Sequence, residues 1–189
     1  MKLSWETIEA DYSYASTQVN LPKEVGDKII SWGKKNIKDE DIYEDEEDDS
    51  KGREDMPHCT ILYGLTSDNP EPVKKLLKEE RPIKATLGKV SLFEQDDYDV
   101  VKINVKSPDL HRLHKKLSDN LNNENSFPTY KPHVTIAYVK PGKGKKYSGN
   151  KEFEGIELTF DTVRFSSKKE KETYIKLKNS IAAELSWNV

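Results

Sequence analysis

The first regular pattern along the chain is alternation. In YASTQVNL, residues 14 to 21, Ala15, Thr17, Val19 and Leu21 share one face, while Tyr14, Ser16, Gln18 and Asn20 share the other. That period of two predicts a strand with one polar side. Pro22 then starts a helix in which Val25, Ile29 and Trp32 recur at i, i+4 and i+7, the spacing of one buried stripe. From 38 to 55 the sequence KDEDIYEDEEDDSKGRED loses every periodicity and concentrates acids, which predicts a flexible, solvated surface loop.

An apolar run, MPHCTILYGL at 56 to 65, predicts the next strand, and Val73, Leu76 and Leu77 mark one side of a short helix around 70 to 80. Strand-like runs at about 83 to 93 and 98 to 105 flank the polar turn EQDD and read as a hairpin. Ser107 and Pro108 cap a third helix with Leu110, Leu113, Leu117 and Leu121 on its stripe. NNENSFPTYKP leads from there into KPHVTIAYVK at 131 to 140, and runs at about 156 to 166 and 172 to 178 close the pattern. The order β-α-β-α-β-β-α-β-β-β lacks regular βαβ alternation, so the expected fold class is α+β on antiparallel sheets. At 189 residues one domain spanning 1 to 189, built of two similar lobes, is the expectation.

Two of these strands repeat one phrase, Pro-His-x-Thr-Ile-x-Tyr. Strict alternation puts His58, Thr60 and Leu62 on one face of the first copy, opposite Cys59, Ile61 and Tyr63. In the second, His133, Thr135 and Ala137 oppose Val134, Ile136 and Tyr138. With helices over the Ile/Tyr face, the tyrosines belong to the core and each His-Thr pair looks onto an open, polar face. A packing or vestigial role for the repeat is the competing reading.

Two histidines can serve as base and acid near neutral pH, and two threonine hydroxyls can donate to phosphate oxygens as charge builds. That is a minimal kit for phosphodiester cleavage, with His58, Thr60, His133 and Thr135 as the catalytic residues. An acid and a base together supply on the order of 10⁴ to 10⁸ in rate, short of what an unactivated phosphodiester needs. The substrate must therefore contribute strain or an internal 2'-hydroxyl nucleophile, which predicts an RNA-like substrate.

Charge and composition narrow the partner. A formal charge of -3 with 34% charged residues lacks the positive excess of a general duplex-DNA binder, so a nucleic-acid ligand should be small. No apolar run is long enough to cross a bilayer, and the start MKLSWETIEADY has no signal-peptide core, so a cytosolic protein is expected. The lone Cys59 excludes an internal disulfide and a cysteine-rich metal knuckle. His111 and His114 form an i, i+3 pair, but no further ligands accompany them and His114 borders the leucine stripe, so no metal site is expected.

Pro57-His58-Cys59-Thr60 and Pro132-His133-Val134-Thr135 resemble the paired His-x-Thr/Ser signatures of the two-histidine (2H) phosphoesterase superfamily. The resemblance runs from ASTQVNLP to the closing hairpin, and looks closest to the branch of 2'-5' RNA ligase-like proteins and cyclic nucleotide phosphodiesterases. That branch includes phage anti-CBASS nucleases, which degrade cyclic oligonucleotide immune signals. The resemblance implies a bilobal, pseudo-twofold fold with a central cleft, no cofactor, no metal, His133 as general base and His58 as general acid. It also implies a small nucleotide or cyclic oligonucleotide as the partner, with a monomer the simplest state. The acidic stretch at 38 to 55 departs from the family pattern.

Around the motifs, Tyr14 and Gln18 sit on the polar face of the first strand, and Tyr14 can stack a base. Tyr130 precedes the second motif with Lys131. In the last hairpin Val163, Phe165, Ile175 and Leu177 read as core, which turns Arg164, Ser166 and Tyr174 the other way. KPGKGKKY at 140 to 147 clusters four lysines, Lys140 first, which either steer an anion to the cleft or form an ordinary solvated loop. Tyr14, Gln18, Tyr130, Lys140 and Tyr174 are the candidate substrate contacts.

Overall fold

A computed structural model of the chain describes residues 13–45, 51–124 and 129–178. Its elements are β1 (Ala15–Asn20), α1 (Lys23–Asn36), β2 (His58–Leu65), α2 (Glu71–Leu77), β3 (Ile83–Glu94), β4 (Asp99–Lys106), α3 (Pro108–Asn120), β5 (His133–Val139), β6 (Glu157–Phe160), β7 (Thr162–Ser166) and β8 (Glu172–Lys176). They form two four-stranded sheets, ordered β2-β1-β7-β8 and β5-β4-β3-β6, with every pairing antiparallel. Each motif strand is therefore an edge strand, and β2 abuts β5. The α+β architecture expected from the sequence is the one observed.

The helices start and stop where local chemistry directs. Ser107 accepts a hydrogen bond from the Leu110 N–H at 3.1 Å through its side chain, and Pro108 fills the first helical position of α3, where no donor is needed. Leu110, Leu113 and Leu117 are fully buried, and truncating any of them to Ala would cost about 2 to 5 kcal/mol. The helices cross over: α3 follows β4 but packs on β2 as well as β3, and α1 follows β1 but packs on β5. Gly33 makes the second crossing possible, because a Cβ there would lie 2.9 Å from Ile136 Cγ2.

Two expectations need correction. The run 156 to 166 is two strands: Asp161 separates β6, which pairs with β3, from β7, which pairs with β1. The described parts of the acidic stretch are not a free loop either. Arg53 donates to the Gly33 and Ile37 carbonyls, each at 2.8 Å, and to Asp39 at 2.6 Å, while Ile42 and Arg53 bridge to Val139 and Ala137 of β5. Asp41 is buried, bonded by Lys146 at 2.6 Å and by the Tyr147 hydroxyl, and these two donors hold its carboxyl below the usual range. The segment thereby covers the exposed edge of β5. Residues 46 to 50 lie outside the described residues. Among the described residues no helix is long and apolar enough to cross a membrane.

Candidate active site

The repeated Pro-His has a structural reason. His58 Nδ1 donates to the Met56 carbonyl at 2.9 Å, and His133 Nδ1 donates to the Lys131 carbonyl at 2.7 Å. A carbonyl only accepts, so each bond fixes the proton on Nδ1 of the neutral ring and leaves Nε2 with its lone pair. The intervening prolines hold the chain extended and lack a competing N–H, while their own carbonyls accept from Leu21 N at 3.1 Å and Val105 N at 3.0 Å, beginning the two ladders. Met56 and Lys131 thus act as matched tautomer locks.

A bulge follows each threonine. Gln18 pairs with Thr60 and Thr17 with Leu62, so Ile61 is extra. Lys102 pairs with Thr135 and Val101 with Ala137, so Ile136 is extra. The extra residue reverses the alternation, sending Leu62 and Ala137 into the core and turning the tyrosines out of it. Tyr63 is 43% exposed, its ring centre 5.8 Å from that of Tyr14 in an edge-to-face arrangement, and Tyr138 is half-buried beside Tyr98. The core placement expected for both tyrosines is therefore corrected. Bulging frees carbonyls, and the fold satisfies them differently in the two copies. In β2, Tyr130 Oη donates to Thr60 O at 2.8 Å and His114 Nδ1 to Ile61 O at 2.7 Å. In β5, the Glu54 N–H donates to Ile136 O at 3.0 Å.

On the face shared by the motif side chains, cross-strand neighbours match as well. Asn20 opposes His58 and Asn104 opposes His133. Gln18 opposes Thr60 and Lys102 opposes Thr135. The next strands add Arg164 beside Gln18 and Ser91 beside Lys102. His133 packs edge-on against Phe93 at 4.8 Å, and its imidazolium is disfavoured by burial and then by Lys102 and His58, against the opposing pull of the Lys131 carbonyl. His58 is among the charges acting on His133, and the strands that carry the two histidines abut. Thr60 and Thr135 are half-buried, and no hydrogen bond within the described residues uses either hydroxyl. Cys59, behind them, is buried, and its thiol is pushed up to about 12 by that burial, which makes it a packing residue rather than a nucleophile.

The five candidate contacts scatter. Gln18, buried and donating to Asn20 Oδ1 at 3.2 Å, sits next to the motif side chains. Tyr174 lies two strands over, beyond Arg164, lining a hollow of about 330 Å³ with Asn20, Phe160 and Asp161. Tyr14 is six positions from Asn20, roughly 20 Å of strand, with its hydroxyl on Glu124 at 2.5 Å. Lys140 is seven positions past His133, where its ammonium donates to Glu40 O at 2.8 Å. Tyr130 stacks on His114 at 4.1 Å on the helix side of β2. Lys146 and Tyr147 of the lysine segment line a separate hollow of about 440 Å³ with Trp32. Sequence reasoning passed over Lys102, Asn104 and Ser91. The signal was there in VVKINV, where Lys102 and Asn104 alternate with Val101, Ile103 and Val105 in the way His-x-Thr alternates in β5.

The arrangement has known relatives. No curated protein matches the chain in sequence. Among solved structures, TT0787 of Thermus thermophilus superposes with a TM-score of 0.60 at 17% identity, covering 87% of this chain and 95% of that one. E. coli LigT complexed with 3'-AMP gives a TM-score of 0.58 at 18% identity, covering 89% and 96%. A structure described as a phosphoesterase gives 0.52 at 18%, covering 88% and 96%. At such identities these likenesses concern the fold. A family model described as the 2'-5' RNA ligase superfamily matches residues 46–172, both motifs included. The chain belongs to the 2'-5' RNA ligase superfamily.

Proposed function

We propose that the protein is a metal-independent phosphodiesterase acting on small ribonucleotides, with cyclic oligonucleotides of the immune-signal type, as for an anti-CBASS nuclease, as its preferred substrates. The observation that carries this reading is the matched pair of tautomer-locked histidines, each two residues before a half-buried threonine, on abutting edge strands. In the proposed step His133 Nε2, whose ring resists protonation, takes the proton of the ribose 2'-hydroxyl. The 2'-oxygen bonds to the adjacent phosphorus. The bond to the 5'-oxygen breaks, and protonated His58 gives that oxygen a proton, leaving a 2',3'-cyclic phosphate and a 5'-hydroxyl. Thr60 and Thr135 donate to the non-bridging oxygens as negative charge grows.

The family description favours a second reading, RNA end processing at a 2',3'-cyclic phosphate or a 2'-5' linkage, which would use the same four residues. That E. coli LigT has been captured with 3'-AMP and with phosphate is consistent with either. Incubation in EDTA with cyclic di- and trinucleotides, a 2',3'-cyclic nucleotide and a 2'-5' dinucleotide, followed by chromatography, separates them. Turnover of the cyclic oligonucleotides, abolished in His58→Ala and His133→Ala, supports the proposal. Turnover of the other two alone supports end processing. Tight binding with no turnover of any substrate would establish sequestration and overturn both.

A further inference from the structure

Lys102 is the one strongly perturbed group on the motif face that the step above leaves unused. It is 3% exposed, on β4 directly opposite Thr135. Its ammonium donates to Ser91 Oγ at 2.8 Å and Asn104 Oδ1 at 2.7 Å and lies 4.1 Å from the centre of the Phe93 ring. Neither acceptor is charged, and among the described residues no carboxylate pairs with Lys102. β3 contributes Ser91 and Phe93, β5 contributes Thr135 and His133, and the charge that reaches Lys102 is the like charge of Lys131. A buried cation ordinarily has an anion beside it, because taking an unpaired charge out of water is costly.

The other sheet shows what the position requires structurally. At the pseudo-equivalent place, opposite Thr60, stands Gln18, also buried and also bonded to the asparagine two residues on. A neutral amide therefore satisfies the packing and the hydrogen bonding there. The charge at Lys102 is an addition beyond what the fold needs, and it breaks the near-symmetry of the cleft. Directly opposed residues of an antiparallel pair have Cβ atoms about 5 Å apart, so a phosphate accepting from the Thr135 hydroxyl is within reach of the ammonium. Two of the three N–H donors are engaged and the third remains for that phosphate.

We propose that Lys102 is the counter-ion of the substrate phosphate, holding it on the β4–β5 side of the cleft next to His133. Resting on the phosphodiesterase reading, this assigns the two halves unequal work: one binds the anion, while His58 on the other meets the leaving oxygen. Lys102 is tuned for such a role, since burial, with Lys131, brings its ammonium down to about 8, so an arriving anion gains a partner whose charge no carboxylate among the described residues compensates.

The test uses sulfate, whose charge does not change across the range. In the full-length protein, calorimetric sulfate affinity should fall from pH 7.5 to 9.5 as Lys102 loses its proton. Lys102→Met should bind at least tenfold more weakly at pH 7.5 and lose that pH dependence, whereas Lys102→Arg should retain most of the affinity. Sulfate binding by Lys102→Met equal to that of wild type would overturn the proposal. Should Lys102→Met fail to fold, Lys102→Gln, which copies the amide the fold already accepts at Gln18, gives the same comparison. Absence of turnover in the wild type with sulfate binding intact would count against the phosphodiesterase reading and leave the anion site standing.

Discussion

Tyr130 is where two roles can be separated cleanly. As a substrate contact it would touch the ligand; as observed it is a strut, with its hydroxyl on Thr60 O at 2.8 Å and its ring flat on His114. Burial also raises its hydroxyl pKa well above the ordinary tyrosine value, so it remains a donor throughout the working range. Tyr130→Phe deletes one oxygen and keeps the stacked ring. Thr60 O then loses this side-chain donor and keeps the 3.9 Å contact of the Cys59 thiol. Losing a hydrogen bond to a largely buried carbonyl costs about 1 to 2 kcal/mol. At this chain length that lowers the melting temperature by roughly 2 to 8 °C. Adenosine 3'-monophosphate affinity, read by calorimetry, should stay within about twofold of wild type. Tyr130→Ala, which also removes the ring, should cost about 3 to 5 kcal/mol. A tenfold loss of nucleotide affinity in Tyr130→Phe with the melting temperature unmoved would refute the strut and restore Tyr130 as a ligand contact.

Other outcomes follow from single contacts. Cys59, pushed up to about 12 against about 8.5 in an unfolded chain, should react with an aromatic disulfide at pH 8 on the order of 10³ more slowly in the native protein than in denaturant. Gly33→Ala sets a helix-propensity gain of about 1 kcal/mol against the 2.9 Å approach to Ile136, where overpacking costs about 1 to 3 kcal/mol. Urea titration should show no gain and a net loss of up to about 2 kcal/mol, and a stabilisation by the full propensity term would show that Ile136 yields freely. His133 has a folded pKa below the unfolded value of about 6.5, so the unfolded chain takes up a proton first as pH falls. Its contribution to stability is neutral above that value and becomes unfavourable below it. His133→Gln should therefore lose less stability than wild type between pH 7.5 and 5.5, and equal losses would contradict the shift. For the same reason the acid limb of kcat/KM should lie below the ordinary histidine value.

Much of the fold was legible because apolar periodicity reports local geometry. Leu110, Leu113 and Leu117 of α3, Ala15, Thr17 and Val19 of β1 and Ile175 of β8 bury as their spacing demands. What escaped was phase. Strict alternation through His58–Leu65 assumes no extra residue, yet the bulges at Ile61 and Ile136 depend on pairing with β1 and β4, which no single strand encodes. The break at Asp161 did leave a trace. Leu158 and Phe160 bury on even positions and Val163 and Phe165 on odd ones, a phase change that one strand cannot accommodate. The four motif residues could be named from their own spacing. Lys102, Asn104 and Ser91 reach the site through register, and the anchoring of the 38–45 segment depends on Arg53 and Lys146 finding it from elsewhere in the chain. Composition alone could not announce such partners.

Asp161 carries a mechanical consequence. It is the single residue between a strand of one sheet and a strand of the other, a tether that keeps the facing strand ends within about 7 Å of each other. Any rocking of the sheets must pivot near it, beside the hollow that Tyr174 lines. So short a leash limits how far the two sheets, and the imidazoles they carry, can shift in alignment by hinging there. Lengthening the leash with inserted glycines would slacken that alignment, lowering kcat while circular dichroism still reports both sheets.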